Sequence, residues 1–358
     1  MPSTVDYVES LSPWPKDGFG LERMRAMLSE LGDPQLSYPS LHVVGTNGKS
    51  TTTRSIEETL LREGLRVGAY TSPHVSGWAE RIRVNGHETE LERTLSGVRP
   101  RSMAVGATQF EVLTAAALLA FAQAEIEVAA VEAGLGGRHD ATNVLRSPSQ
   151  VLTNVALEHT EVLGSTREAI AEEKLAVVQP GATVVLGEPE WEALARRNGA
   201  GRVVVETGGN EALAGAAASA FLGRSVESAQ VQLPGRLDWH GDDEIWDGAH
   251  TPEAVRHIAP ELPAVGSIVA SLLEDKDVDG VLRELSKTAS VLVATTSSNQ
   301  RALSAGKLAE CARRHFGHVE ALSDPREALA RAHELGEPVL VTGSLYLLAD
   351  LWSAVAHA

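Results

Sequence analysis

Hydrophobic positions in this chain fall into two recurring kinds of run. Short blocks rich in β-branched residues predict buried strands, and longer stretches with apolar residues at helical intervals predict helices that pack on them. Strands that alternate with helices imply a parallel sheet with right-handed crossovers, so the pattern predicts an α/β fold. In the first part of the chain the predicted strands are 41–44, 67–70, 128–132, 150–155 and 182–186, and the predicted helices are 18–32, 50–63, 109–124 and 166–178.

Two stretches among these elements are less regular. Residues 71–87 begin as a loop and contain an Asn-Gly turn at 85–86. Residues 88–106 are polar, and we expect a helix without clear limits there.

A second α/β run begins near residue 237, after the break at Pro234-Gly235. A length of 358 residues suits two domains better than one. We therefore expect one domain over 1–236 and a smaller one over 237–358. The predicted strands of the second domain are 267–273, 290–295 and 338–343, and its predicted helices are 253–260, 278–288, 303–315 and 325–335.

Charge and cysteine content narrow the kind of partner. The chain has 31 basic and 48 acidic residues, a net charge of −17, which argues against nucleic acid or an anionic membrane as the main partner. Cys311 is the single cysteine, so no internal disulfide can form and a reducing compartment is expected. The N-terminus lacks an apolar signal core, and no apolar run approaches the roughly 20 residues of a membrane helix. These features predict a soluble cytoplasmic protein.

The stretch LHVVGTNGKSTTT, residues 41–53, joins a predicted strand to a predicted helix through a glycine turn. Glycines allow backbone N–H groups to close around phosphate oxygens, and the helix N-terminus adds unpaired donors. Lys49 supplies a positive charge, and Ser50 or Thr51 is placed to contact a magnesium ion carried by a nucleotide. The match to the general phosphate-loop pattern is incomplete, because Val43 stands where a glycine is expected. An ordinary strand-to-helix turn is the alternative.

Further candidate residues lie at the ends of predicted strands. Glu132 ends one strand, and the segment 156–160, with His159, follows another. Ligands of parallel sheets bind at the carboxyl ends of the strands, so these residues and the glycine loop are predicted to form one site. Each also has a simpler interpretation, as a solvated carboxylate for Glu132 and as a packing residue for His159. Lys174, which follows two glutamates on a predicted helix, is by itself typical of a solvated lysine in helix ion pairs.

Three residues around the predicted domain boundary also suggest a ligand. Arg236 lies in LPGRLD, and Asp247 and His250 lie in IWDGAHTP, where a helix begins near Pro252. An arginine at a hinge, opposite an aspartate and a histidine, could close over a nucleotide. A structural ion pair fits the same residues equally well.

Together these stretches resemble the folylpolyglutamate synthase/dihydrofolate synthase family, within the Mur ligase superfamily. The similarity runs through nearly the whole chain, and the combination of SPH-x5-ERI-x2-NG, E-x-GLGGR-x-DATN and DGAH is specific. Other matching segments are HVVGTNGKST, TQFEVLTAAALLAF, TNVALEHTEVLGSTREAIAEEK and VTGSLYLLADL. The resemblance implies a P-loop-containing Mur-ligase-type ATPase domain with a mostly parallel sheet, followed by a smaller Rossmann-like α/β C-terminal domain.

The resemblance also implies a role for each candidate residue. The loop that holds the ATP phosphates comprises Thr46, Asn47, Gly48, Lys49, Ser50 and Thr51. Two magnesium ions are held by Ser50, Ser72, Glu132, His159 and Lys174, the last as a carbamylated lysine. The expected catalytic residues are Lys49, His159 and Lys174. The residues that bind ATP and its ribose from the hinge and the C-terminal domain are Arg236, Asp247 and His250.

The family's reaction defines the expected substrates. A substrate carboxylate attacks the γ-phosphate of ATP to give an acyl phosphate and ADP, and the amine of L-glutamate then displaces phosphate to form an amide. The acceptor is a reduced folate or dihydropteroate, and we expect the protein to be a monomer. The alternatives are a paralogue that joins another amino acid to another acid, a catalytically inactive nucleotide-binding relative, and a plain nucleotide hydrolase.

Several positions depart from the family pattern. Ser50 replaces a glycine of the phosphate loop, Glu158 replaces the aspartate before His159, and Thr251 replaces an asparagine. Within 206–221 three further residues of the pattern change from His, Gln and Asn, the last of which contacts the ATP base in the family; they are Asn210, Glu211 and Ala214. These changes concern the acceptor and the base more than the phosphate chemistry.

Overall fold

Two compact units make up the protein, which is represented by a computed structural model describing residues 3–15 and 18–355. The first unit contains the described residues up to Pro73 together with Trp78–Val231. The second contains His74–Gly77 and the described residues from Gln232 onward. The segment His74–Gly77 thus belongs to the second unit, where Val75 is part of an apolar core.

The first unit is organised around an eight-stranded, mostly parallel sheet. Its strands are β1 Ser40–Val44, β2 Val67–Tyr70, β3 Ile82–Val84, β4 His87–Glu88, β5 Val128–Glu132, β6 Ser149–Leu152, β7 Thr183–Leu186 and β8 Arg202–Val205. The strand order is β4-β3-β2-β5-β1-β6-β7-β8, parallel from β2 to β8, with β3 and β4 added as antiparallel strands at one edge. The α/β class predicted from the alternating pattern is confirmed.

Helices cover both faces of this sheet. Within the described residues they are α1 Thr4–Ser10, α2 Glu22–Glu30, α3 Lys49–Arg62, α4 Leu91–Ser96, α5 Arg99–Val105, α6 Gln109–Gln123, α7 Thr160–Leu163, α8 Arg167–Lys174, α9 Glu192–Arg197 and α10 Asn210–Leu222. Strands covered on both faces are mostly apolar, and β1, β2, β5 and β6 are buried along their whole length. Each fully buried valine or leucine contributes roughly 1.5–3 kcal/mol.

Most of the predicted elements are present with small changes at their ends. The bounds predicted for β2 and β5 match, and Asn85 and Gly86 have φ values of 50° and 80° in the predicted turn between β3 and β4. The helix without clear limits that was expected within 88–106 is present as two short helices, α4 and α5, because the chain turns at Gly97.

The second unit contains a six-stranded sheet. Its strands are β9 Asp238–His240, β10 Glu244–Trp246, β11 Ser267–Ala270, β12 Val291–Ala294, β13 His318–Ala321 and β14 Val339–Thr342, and its helices are α11 Pro252–Ile258, α12 Val278–Leu285, α13 Ala305–Ala312, α14 Pro325–Leu335 and α15 Leu345–Val355. The strand order is β13-β12-β11-β14-β10-β9, parallel except for the β9–β10 hairpin. This is the Rossmann-like arrangement that the resemblance implies.

The sheet of the first unit gathers the candidate residues at one edge. Strand β1 lies between β5 and β6 and pairs in parallel with both. The carboxyl ends of these three strands therefore lie side by side. Glu132 is the last residue of β5, and the phosphate loop and the segment after β6 begin at the same edge.

No helix among residues 3–15 and 18–355 has both the length and the apolar character needed to cross a membrane.

Candidate active site

The phosphate loop connects β1 to α3. Gly45 has φ 151° and Gly48 has φ 78°, backbone conformations that favour glycine. A Cβ atom on Gly45 would come within 1.9 Å of the hydroxyl oxygen of Thr153, so a side chain there would displace Thr153. Lys49 begins α3, and its Nζ donates to the carbonyl of Thr46 at 3.1 Å. The loop therefore combines a helix N-terminus with a lysine, as phosphate binding requires.

Two residues directly after β6 hold this loop in place. The side chain of Asn154 bonds both backbone groups of Asn47, accepting from its N–H at 3.0 Å and donating to its carbonyl at 3.1 Å. The hydroxyl of Thr153 donates to the same carbonyl at 2.7 Å. Sequence reasoning missed both residues, although their position at the carboxyl end of a parallel strand was an available signal.

Glu132 joins the end of β5 to the start of α3. Its side chain is 1% exposed, so the interpretation as a solvated carboxylate is wrong. Its Oε1 accepts a hydrogen bond from the Ser50 hydroxyl at 3.1 Å, and its Oε2 accepts one from the backbone N–H of Ser72 at 3.0 Å. Three of the predicted metal ligands thus meet at one point. A carboxylate beside a hydroxyl offers the hard oxygen ligands that Mg²⁺ prefers, so these residues fit the metal.

Lys174, the last residue of α8, is buried beneath the phosphate loop. Its Nζ donates to the carbonyl of Gly45 at 2.8 Å and pairs with Oε1 of Glu158 at 3.3 Å. The interpretation as a solvated lysine is wrong, because α8 directs this side chain inward and the two preceding glutamates pair with arginines instead. Burial lowers the pKa of Lys174 to about 8; Glu158 acts in the opposite direction and Lys49 adds to the lowering.

His159 lies in the turn between β6 and α7 and directly follows Glu158. Its φ of 47° is left-handed, a conformation that costs a residue with a side chain on the order of 1–3 kcal/mol. Its carbonyl accepts hydrogen bonds from the N–H groups of Val162 and Leu163, both at 2.9 Å, which begin α7. In sequence, His159 is thus the direct neighbour of Glu158, whose carboxylate pairs with Lys174.

Histidine, cysteine and carboxylate side chains alone do not form a ready metal cluster here. Among the residues that the structure describes, one group of three such side chains has its ligand atoms within 4.8 Å of one another, and it lies in the second unit at Asp243, His333 and Glu337. Around Glu132, further metal ligands must come from other groups, such as the Ser50 hydroxyl. Lys174 cannot be one as an ammonium, since a cation repels a metal ion, whereas a carbamate on its Nζ is an oxygen ligand.

Asp247 organises the turn that follows β10 in the second unit. It is buried, and its carboxylate accepts hydrogen bonds from the N–H groups of Leu237 at 2.9 Å and Ala249 at 2.8 Å. Burial raises the pKa of Asp247, and the nearby Arg236 opposes that rise. This carboxylate therefore has a clear structural role in addition to any ligand role.

Arg236 and His250 lie at the same turn. Nη1 of Arg236 donates to the carbonyl of Gly235 at 2.9 Å, and Nδ1 of His250 lies 2.8 Å from the carbonyl of Gly248. A carbonyl only accepts, so Nδ1 of His250 carries the proton in that bond. The structure thus places the three predicted nucleotide-binding residues of the second unit around one turn.

The altered segment 206–221 contains all but the last residue of α10, which packs on α3. Asn210 begins α10 and lies against the phosphate loop, since a Cβ atom on Gly48 would come within 2.2 Å of its Oδ1. Ala214 is fully buried in the apolar core between α3 and α10. Glu211 accepts a hydrogen bond from Gln230 at 3.1 Å. Position 214 therefore offers no polar side chain to a nucleotide base.

The fold and the site define an α/β protein with a phosphate-binding loop in the first of its two units. Two family models match the chain, one described as the Mur ligase middle domain over residues 43–230 and one as the Mur ligase glutamate ligase domain over residues 235–345. The dihydrofolate synthase/folylpolyglutamate synthase of Escherichia coli K12 is 30% identical over 405 residues, covering 99% of this chain and 95% of that protein. The chain therefore belongs to the Mur ligase family and, within it, to the dihydrofolate synthase/folylpolyglutamate synthase group.

Solved structures agree with this assignment. The structure of Escherichia coli FolC in complex with DHPP and ADP has a TM-score of 0.85 and 27% identity, covering 100% of this chain and 99% of that chain. A bifunctional folylpolyglutamate synthase/dihydrofolate synthase with Mn, AMPPNP and L-glutamate bound has a TM-score of 0.86 and 30% identity, covering 99% of this chain and 98% of that chain. The resemblance stated from the sequence motifs is confirmed.

Proposed function

We propose that this protein is an ATP-dependent, ADP-forming ligase that adds L-glutamate to a folate-type carboxylate through an acyl phosphate. The observation that carries the proposal is the hydrogen bond between the buried Glu132 and Ser50, which lies in the first turn of α3, one residue after Lys49. It combines a phosphate loop with a metal-binding carboxylate in a chain that matches such ligases over its whole length.

The reaction proceeds in two steps. An oxygen of the acceptor carboxylate attacks the γ-phosphorus of ATP, forming a new P–O bond while the bond to ADP breaks. The amine of L-glutamate then attacks the acyl carbon, phosphate leaves with the oxygen it received, and the nitrogen loses a proton. Such transfers depend on positioning and on neutralising the crowded oxygens, which are the tasks of the loop N–H groups and of Lys49.

Separate sets of residues are proposed to bind the triphosphate and the magnesium ions. The triphosphate of ATP is held by Thr46, Asn47, Gly48, Lys49, Ser50 and Thr51. The ligands of two Mg²⁺ ions are Ser50, Ser72, Glu132, His159 and carbamylated Lys174. Bound magnesium supplies charge neutralisation at the phosphates. Among the protein groups Lys49, His159 and Lys174 are the proposed catalytic residues.

Carbamylation of Lys174 is supported by its environment. The neutral amine adds CO₂ with formation of an N–C bond and release of a proton, and a lysine with a pKa near 8 has a larger neutral fraction at neutral pH than an ordinary lysine. Incubation with ¹³C-bicarbonate should give a carbamate carbon signal in the wild-type protein. Loss of that signal in Lys174→Met assigns it, and an unchanged signal refutes the assignment.

The remaining proposals concern the second unit and the whole chain. Arg236, Asp247 and His250 contact ATP and its ribose, and the domains divide as 1–236 and 237–358. The single cysteine and the acidic charge balance support a cytoplasmic protein that acts on small molecules, without a nucleic-acid or membrane partner. We further propose that it works as a monomer.

Product analysis tests the proposed function. The protein is incubated with Mg²⁺, ATP and L-glutamate, together with tetrahydrofolate or dihydropteroate, and products are identified by mass spectrometry while ADP release is followed. The proposal predicts ADP release that requires both acceptor and glutamate, and a product one glutamyl residue heavier. ADP release at the same rate without acceptor and glutamate indicates a nucleotide hydrolase. The absence of ADP release with every substrate indicates an inactive relative.

A second candidate is a ligase of the same chemistry that joins another amino acid to another acid. It is favoured by Glu158, which replaces the family aspartate and is engaged by Lys174. This candidate predicts no ADP release with either folate acceptor and ADP release when other amino acids and acids are supplied.

A further inference from the structure

A buried chain of hydrogen bonds links β1 to the loop that follows Glu132. Nε2 of His42, on β1, lies 2.7 Å from the hydroxyl oxygen of Thr142. That hydroxyl donates to Oδ1 of Asp140, whose Oδ2 accepts from the backbone N–H of Leu135 at 2.8 Å. The side chains of His42, Thr142 and Asp140 are 1%, 0% and 6% exposed.

The direction of each hydrogen bond in this chain can be assigned. The Thr142 hydroxyl donates its one proton to the Asp140 carboxylate. The Thr142 oxygen must then accept from His42, which fixes the imidazole tautomer with the proton on Nε2. Burial raises the pKa of Asp140, and the hydrogen bonds that it accepts from Leu135 and Thr142 oppose that rise. Burial lowers the pKa of His42 to about 4, consistent with a neutral ring that donates one hydrogen bond here.

Both ends of this series of hydrogen bonds connect to the nucleotide site. His42 is two residues before the end of β1, which leads directly into the phosphate loop. Leu135 is three residues after Glu132. On its other side the same loop is packed at Gly137, where a Cβ atom would come within 2.5 Å of the carbonyl oxygen of Lys174. The loop 133–142 is thus held between His42 and the backbone of α8.

We infer that the His42–Thr142 pair is a positioning element, which holds the loop 133–142 and therefore Glu132 in a set place relative to the phosphate loop. Neither residue is a proposed ligand of the nucleotide or of a metal. Their bond acts through Glu132, so the inference rests on the proposed function as far as it concerns metal–nucleotide binding. Breaking the bond should loosen the site for the metal–nucleotide complex.

The test measures nucleotide binding without turnover. Calorimetry gives the dissociation constant of Mg²⁺ with a non-hydrolysable ATP analogue for wild type, Thr142→Val and Thr142→Ser. Thr142→Val has the same shape and no hydroxyl, and we expect its dissociation constant to rise roughly tenfold, the usual effect of removing a group that orients a metal ligand. The dissociation constant of Thr142→Ser should stay within about threefold of wild type, since this change keeps the hydroxyl and removes only the side-chain methyl group.

A matched control separates positioning from general stability. Tyr38 is buried in the same unit and donates one hydrogen bond to the carbonyl of Leu118 at 2.9 Å, away from the nucleotide site. Tyr38→Phe also loses one buried hydroxyl, and it should lower the melting temperature without changing nucleotide binding. Thr142→Val with lowered stability and wild-type binding would overturn the inference.

A second pair of variants covers the case in which Thr142→Val does not fold. In His42→Gln an N–H group can still reach Thr142, whereas the side chain of His42→Asn is too short. The inference predicts near-normal binding for His42→Gln and weakened binding for His42→Asn, and equal binding by both refutes it. Wild-type protein that binds the Mg²⁺–nucleotide complex and forms no ligation product would contradict the proposed function while leaving this comparison valid.

Discussion

The hydroxyl of Ser50 lies 3.1 Å from Oε1 of Glu132, and this hydrogen bond connects the first turn of α3 to the end of β5. The two residues are 82 positions apart in sequence and meet because β5 and β1 are neighbouring parallel strands. The bond sets an anionic oxygen and a hydroxyl beside a helix N-terminus that attracts phosphate. In the proposed reaction, this pair forms the metal side of the nucleotide site.

The charge of Glu132 can be removed with little change in shape by Glu132→Gln. The neutral amide weakens metal binding, and we expect kcat to fall at least about 100-fold with a higher Mg²⁺ requirement. Glu111→Gln is the matched control, since Glu111 is also buried in the first unit but caps α6 and pairs with Arg23. That control should lose about 1 kcal/mol of stability and retain activity. Equal activity of the two variants would contradict the role of Glu132.

Lys49→Ala removes the positive charge of the phosphate loop. We expect kcat/KM for ATP to fall by about two to three orders of magnitude, because a donor to the transferring phosphate is lost. Circular dichroism should be unchanged, since the Lys49 ammonium makes only a local bond to the carbonyl of Thr46. Glutamate-dependent ADP release at the wild-type rate in this variant would rule out the phosphate-loop assignment.

The buried Lys174 should make stability depend on pH. Its pKa is lowered from 10.5 to about 8, so between these values the unfolded chain binds more protons at this site than the folded one. Stability therefore rises with pH through that window, and the cost of the charged lysine, on the order of 3 kcal/mol, is fully present below about pH 8. Urea unfolding in CO₂-free buffer from pH 7 to 10.5 measures it.

The control for this pH dependence compares the buried lysine with an exposed one. Lys174→Met should flatten the rise in stability, whereas Lys307→Met, at a side chain that is 68% exposed, should leave it unchanged. A rise of the same size in Lys174→Met would show that another group causes it.

Gly137 packs against the backbone of α8 beneath the site. A Cβ atom there would lie 2.5 Å from the carbonyl oxygen of Lys174 and 2.8 Å from that of Glu173, and neither backbone oxygen can move freely. We expect Gly137→Ala to cost about 1–3 kcal/mol and to lower activity. Gly306→Ala, in an exposed turn of α13 with open space around it, should instead stabilise by up to about 1 kcal/mol with unchanged activity. Thermal unfolding of both variants checks the contrast.

How far the sequence predicts the molecule differs between elements. The apolar block that ends in Glu132 gives the bounds of β5 correctly, because a long buried strand has a continuous apolar signature. Strands β9 and β10 have three residues each, too few to show a period, and they were not predicted. The helix α10 could be anticipated only from the resemblance, since its alanine-rich sequence shows no polar face.

The site shows the same limit. Local sequence made Lys174 look solvated, because burial depends on which side of α8 faces the phosphate loop, and that is decided by tertiary packing; the resemblance corrected this. The His42–Thr142 bond joins residues 100 positions apart and leaves no local signal. Strand-end positions predicted the neighbourhood of Lys49 and Glu132 well, since the parallel order of strands alone brings them together.

The central claim is that an acceptor carboxylate takes the γ-phosphate of ATP before glutamate reacts. The most direct measurement supplies the acceptor with its carboxylate oxygens labelled with oxygen-18, together with ATP and L-glutamate, and analyses the released phosphate by mass spectrometry. An acyl phosphate predicts one labelled oxygen in each phosphate released. Unlabelled phosphate formed at the same rate as ADP would contradict it, because the oxygen would then have come from water.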